Sequence, residues 1–130
     1  MADKMPYVIH WGDIPLDMTS IIGKFRRSEF NSVYTNARLG VSIGHWIVED
    51  GYEDYGDHPQ AEIFYIIEGH AKVETDEGDF AVGPGDTVLL LPGRRSRFVV
   101  GQPMKVFYAS VGAEDILKMQ AVRREAARKD

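Results

Sequence analysis

Two turn signals in close succession, Asp76-Glu77-Gly78-Asp79 and Gly83-Pro84-Gly85-Asp86, most restrict what this chain can fold into. Each supplies the glycine and aspartate chemistry of a tight turn, the second with a proline as well, and the apolar residues between them leave room only for a short strand. Both read as hairpin turns, the first between Val73 and Phe80. On either side the same rhythm continues. Val41–Val48 is rich in strand formers, with Gly44 as an interruption, and Ile63–Ile67 is a buried-type run. Ala71–Glu74 alternates apolar with polar, and Thr87–Leu91, Phe98–Val100 and Lys105–Ser110 complete the series. Turns at intervals of roughly 8–12 residues point to an all-β sandwich or barrel and away from alternating helices and strands.

The 130 residues are enough for one domain with one core. A net charge of −5 excludes the basic stripe that nucleic acid requires, so no nucleic-acid partner is expected. No apolar run, whether Val88–Leu91 or Ile63–Ile67, is long enough to cross a bilayer, and no membrane partner is expected either. With no cysteine there is neither disulfide nor thiolate ligand. No leader opens the chain, so the cytoplasm is the expected compartment.

The ends differ from the middle. Residues 1–40 read as an N-terminal arm and an irregular segment, with a short strand near Ser32–Thr35. Residues 41–112 form the barrel core. Residues 113–130 read as a C-terminal α-helix, acidic in its first turn (Glu114, Asp115) and basic in its last (Arg123, Arg124, Arg128, Lys129), as the helix dipole prefers.

Within the core the spacing of chemistry-bearing residues is specific. His58, three residues, Glu62, six residues and Gly69 are followed by Gly85 and then Gly93. This pattern resembles the two motifs of the cupin superfamily, single-domain double-stranded β-helix (jelly-roll) barrels. His58 takes the place of the second motif histidine, Glu62 of the glutamate, and Gly69, Gly85 and Gly93 of the glycines. Pro92 stands one position late, with Leu91 where proline is usual. Phe98 and Lys105 make the chain most similar to a subgroup of ureidoglycine aminohydrolase-like and ethanolamine-utilisation-like cupins. The resemblance implies a divalent metal (Zn, Mn, Fe or Ni), but Gly56 and Ser96 occupy two of the four usual ligand positions. The remaining set is His58 and Glu62. His45, on the strand that feeds the site, is either a third metal ligand or a half-exposed strand histidine.

Strand alternation places Glu62, Phe64 and Ile66 on one face and Ser96, Phe98 and Val100 on another, with His58 at the entrance. Trp46 and Tyr108 are placed either to edge this cavity or to pack in the core. Arg97, in the cluster Arg94-Arg95-Ser96-Arg97, is placed to clamp a substrate carboxylate. The expected substrate-binding set is therefore Phe64, Ile66, Ser96, Phe98, Arg97, Tyr108 and Trp46. Without a metal, Glu62 and His58 are the catalytic pair, suited to moving a proton on a carboxylate- or hydroxyl-bearing metabolite by isomerisation, elimination or hydrolysis. The alternative is a barrel that binds a small molecule without transforming it. The resemblance further implies a homodimer, with the apolar segment Met5–Trp11 as an exchanged edge strand.

Overall fold

The computed structural model describes residues 16, 18–19, 23–36, 38–57 and 60–112. The segment Met5–Trp11, His58 and the expected C-terminal helix lie outside the described residues. Within them the protein is all-β. Ten strands run in order: β1 (Met18–Thr19), β2 (Lys24–Phe30), β3 (Tyr34–Asn36), β4 (Val41–Tyr55), β5 (Ala61–Glu68), β6 (Ala71–Thr75), β7 (Gly78–Val82), β8 (Thr87–Leu90), β9 (Ser96–Val100) and β10 (Met104–Val111). Among the described residues no helix is long and apolar enough to cross a membrane.

The strands form one curved sheet with the path β7-β6-β9-β4-β10-β5-β8, and β2 and β3 also pair with β4. It is a barrel with a single open seam, because the path begins at β7 and ends at β8. Antiparallel pairing runs through every neighbouring pair. The first turn signal makes the expected hairpin between β6 and β7, closed by Thr75 Oγ1, which donates to Gly78 O at 2.9 Å and accepts from Glu77 N at 3.1 Å. The second turn forms too, with Gly83 N donating to Asp86 Oδ2 at 2.8 Å, but it is not a hairpin. β8 pairs with β5, so this turn carries the chain across the seam. Turn chemistry specifies a reversal of direction; which strand the chain then meets is decided by the rest of the sheet.

β4 is the axis of the molecule. It extends well beyond the expected Val48, and Gly44 does not interrupt it. That glycine is needed where it is, since a Cβ there would lie 1.8 Å from Asn31 O and 2.7 Å from the Tyr108 ring. Farther along, Asp50 and Gly51 both have positive φ, 35° and 151°. Up to this irregularity the inward residues are even-numbered (Ser42, Trp46, Val48), and past it they are odd-numbered (Glu53, Tyr55). Its partner β2 lies in the segment that reads as irregular, because five of its seven residues are polar or charged. Only Phe25, Ser28 and Phe30 turn toward the interior, and Arg26 and Arg27 hold Glu49 on the outer face.

The core fills one half of the barrel. Val48, Ile66, Phe98, Val100, Met104 and Val106 are fully or almost fully buried. Phe98 joins this packed end to an aromatic cluster in which Trp46, Phe64 and Phe98 stand 5.2–6.0 Å apart, centroid to centroid, with Tyr55 5.8 Å from Phe64. Such tilted and edge-on pairs add to the burial of their area.

Candidate functional site

Beside the aromatic cluster the interior becomes polar. Ser28, Phe30, Trp46, Glu53, Tyr55, Glu62, Phe64 and Tyr108 surround a cavity of about 30 Å³. That is space for one or two waters, far below the size of a pocket that encloses a whole metabolite. Glu62 and Glu53 both face it, only 2% and 6% exposed. Glu62 enters from the start of β5, directly opposite Ser110 of β10. The Ser110 hydroxyl lies 2.9 Å from each carboxylate oxygen and donates its proton across the pair. Glu53 enters from β4, turned inward by the irregularity at Asp50-Gly51.

The walls are fixed by hydrogen bonds. The Trp46 indole N–H donates to Ser28 Oγ at 2.8 Å, setting the ring edge. The Tyr108 hydroxyl donates to Asn31 O at 2.7 Å and meets Ser32 Oγ at 2.9 Å, closing the cavity over Gly44. Two buried carboxylates thus line one small, largely aromatic space.

Of the residues expected at the site, Glu62, Phe64, Trp46 and Tyr108 are brought together. Ile66 and Phe98 lie on the inward face as expected, but they are packed into the core behind the cavity. Arg97 is on the outer face. Alternation along β9 turns it away from Phe98, and it forms two hydrogen bonds to Asp54, at 2.7 and 3.2 Å, while stacking over the Tyr52 ring. That pairing holds the Asp54 carboxyl below its usual range. Ser96 lies on the inward face of β9 but opens onto the seam groove instead.

His45 does not join Glu62. It neighbours Trp46 on the strand and therefore points to the opposite face, across from Phe107. It is buried there, and burial, followed by the charge of Lys105, lowers its pKa. Among the described residues no three His, Asp or Glu side chains gather to hold a metal ion. Among the described residues the donors that face the cavity are two carboxylates and a serine hydroxyl, and His58, the expected imidazole ligand, lies outside them. Glu53 is the site residue that strict alternation misses: counted from Trp46, it falls on the outer face. The signal for it is the Asp50-Gly51 pair inside a strand, which marks a bulge. Gln60, buried on the same face as Glu62 with its Oε1 making no hydrogen bond among the described residues, is likewise absent from the expected set.

Solved structures share this fold. The polyketide cyclase RemF from Streptomyces resistomycificus superposes with a TM-score of 0.64 at 15% identity, covering 95% of this chain and 99% of its own. The EutQ protein of Clostridium difficile gives 0.57 at 17% identity, over 68% of this chain and 70% of its own. The cupin domain of Schizosaccharomyces pombe Cnp3 gives 0.57 at 11%, over 75% and 74%. No curated protein matches the sequence. The AraC-like ligand-binding domain matches residues 40–125, a span that takes in every strand from β4 to β10. With the motif spacing, the jelly-roll topology and this match in agreement, the chain belongs to the AraC-like ligand-binding domain family, built on a cupin barrel.

Proposed function

We propose that the protein binds a small polar metabolite with its reacting end in the inner cavity and moves a proton on it, with Glu62 as the acid/base group. The observation that carries this reading is the convergence of Glu62 and Glu53, both almost wholly buried, on one small aromatic-walled space. Two carboxylates facing one space are placed to take up and give back a proton on a bound group. In a cavity of about 30 Å³ only a carbonyl, hydroxyl or amine end of a ligand fits, with its remainder toward the mouth. Ser110 holds Glu62 in place, as a general acid or base requires. His58, four residues before Glu62, is the second member of the proposed pair, and Glu53 joins them. The reaction class is isomerisation, elimination or hydrolysis, run on the chain's own carboxylates.

The family description supports a second reading, a barrel that binds its ligand unchanged. The fold does not choose between the two, since a polyketide cyclase and a domain of a transcriptional regulator share it. A thermal-shift screen with keto acids, sugars and small amines tests binding. A ligand at about 100 times its Kd adds roughly 2.7 kcal/mol of stability to the wild type. Glu62→Gln is expected to lose that gain, while an unchanged gain in the variant overturns the assignment of Glu62. Following the stabilising ligand by NMR then separates the readings: turnover abolished by Glu62→Gln supports the enzyme, and a ligand recovered unchanged supports the binding module.

A further inference from the structure

The open seam between β7 and β8 holds a groove of about 310 Å³, which reaches the size of small-molecule sites. Its cause is topological. Phe80 sits opposite the core residue Val73 in the β6–β7 hairpin and so faces the barrel interior, yet it is 53% exposed, and among the described residues no strand pairs with β7 on that side. Across the seam Leu89 is 61% exposed and Leu91 is also open. Val73, Val82, Val88 and Leu90 form the floor. From Thr87 to Leu91 the groove runs four residues of strand, ~13 Å at about 3.3 Å per residue.

One end is chemically different. There Arg94, Arg95 and Ser96 meet Thr75 and Asp76. Arg94 reaches Glu77 only loosely, at 3.4 Å with both side chains well exposed, and among the described residues Arg95 forms no ion pair. Ser96 Oγ is shut off from solvent and makes no hydrogen bond among the described residues. A chain of net charge −5 thus carries two adjacent guanidiniums at the end of an elongated apolar trough. Arginine forks match carboxylates, and the trough matches a hydrocarbon chain.

We propose that the seam is a second binding site, for an amphipathic carboxylate of the fatty-acid type. The chain lies along Phe80, Val82, Val88 and Leu90, with Leu89 and Leu91 at the rim, and the head group is held by Arg94 and Arg95. Nothing in this site depends on Glu62 or on the chemistry of the inner cavity.

Isothermal titration of the full chain with decanoate tests it, with decanol and decyltrimethylammonium as comparators. Decanoate is expected to bind at least tenfold more tightly than either comparator. The double variant Arg94→Gln/Arg95→Gln is expected to weaken decanoate at least tenfold and to leave decanol unchanged. Phe80→Ser, at an exposed position that the fold tolerates, is expected to weaken both. Glu62→Gln is expected to bind decanoate like the wild type, which separates this site from the inner one. No binding of decanoate, equal binding of the cationic comparator, or an unchanged affinity in the arginine double variant each overturns the proposal. Loss of decanoate binding in Glu62→Gln also overturns it, because the ligand would then sit in the inner cavity.

Discussion

Replacing Gly51 with alanine should destabilise the barrel more than the same change at any glycine in open space. Gly51 has φ of 151°, in a region that L-residues rarely adopt, and that backbone strain alone costs about 1–3 kcal/mol. The added methyl would also lie 1.8 Å from Lys24 O and 2.6 Å from Phe25 Cα. Both are backbone atoms of β2, so no side chain can rotate away and the strand itself must shift. Such a shift loses the β2–β4 pairing at this point, about 1 kcal/mol for a hydrogen bond, and loosens the edge contact of Phe25 on Trp46, about 0.5–1.5 kcal/mol. The total is about 3–5 kcal/mol. Gly78→Ala is the matched control: φ there is 126° and nothing lies within 4 Å of the would-be Cβ, so only the backbone cost of about 1–3 kcal/mol applies. Urea unfolding with equal m-values would measure both. If the two variants fall within about 0.5 kcal/mol of each other, the close approach of β2 to Gly51 is not a constraint on this fold and the reasoning fails.

Three further outcomes are expected. Phe98→Ala, at a side chain with no exposed surface in the aromatic cluster, should cost about 3–5 kcal/mol in urea unfolding; a loss under about 1 kcal/mol would show that the cluster repacks freely. Ser28→Ala leaves the Trp46 N–H without its partner and should cost about 1–3 kcal/mol, whereas Ser28→Thr, which keeps the hydroxyl, should recover part of it. His45 is held below its ordinary value of 6.5, by burial first and then by Lys105. The unfolded chain therefore takes up the proton before the folded one does. The contribution of His45 is complete above about pH 6.5 and is lost as pH falls through the lower folded value. Urea midpoints taken from about pH 7.5 down to about pH 5 should fall more steeply for the wild type than for His45→Gln, and parallel profiles would falsify this placement of the imidazole.

The strands of the central barrel were legible because they depend on local signals. Turn residues at Asp76–Asp79 and Gly83–Asp86, and alternation in Ala71–Glu74, act within a few residues of themselves. β2 was not legible for the opposite reason. Lys24-Phe25-Arg26-Arg27-Ser28-Glu29-Phe30 has little strand character of its own, and it becomes a strand because β4 offers it an edge and Glu49 offers its arginines a partner. The second turn shows the same limit. Its geometry is local, but whether β8 returns to β7 or crosses to β5 depends on how the whole sheet curves. That one crossing opens the seam and leaves Phe80 uncovered.

The candidate site was half legible, and the missing half has a definite cause. Side-chain direction on a strand has a period of two, so one irregularity reverses every residue beyond it. Without the irregularity at Asp50-Gly51, β4 would send Tyr52 and Asp54 inward and Glu53 and Tyr55 outward. With it, Glu53 meets Glu62 in the cavity, while Tyr52 and Asp54 move outside to hold Arg97. The reversal therefore explains the carboxylate that was missed; Arg97 faces outward by the alternation of β9 itself, opposite to Phe98, and the reversal only brings Asp54 and Tyr52 out to meet it. Ile66 and Phe98 were put on the correct face but at the wrong depth, since alternation tells inside from outside and says nothing about distance along the barrel axis. Depth is set by register. Glu62 opposite Ser110 belongs to the polar end, whereas Ile66 opposite Val106 belongs to the packed one. The proton transfer proposed for this cavity would need both ends, one to hold the carboxylates in place and one to keep water from reaching them through the barrel floor.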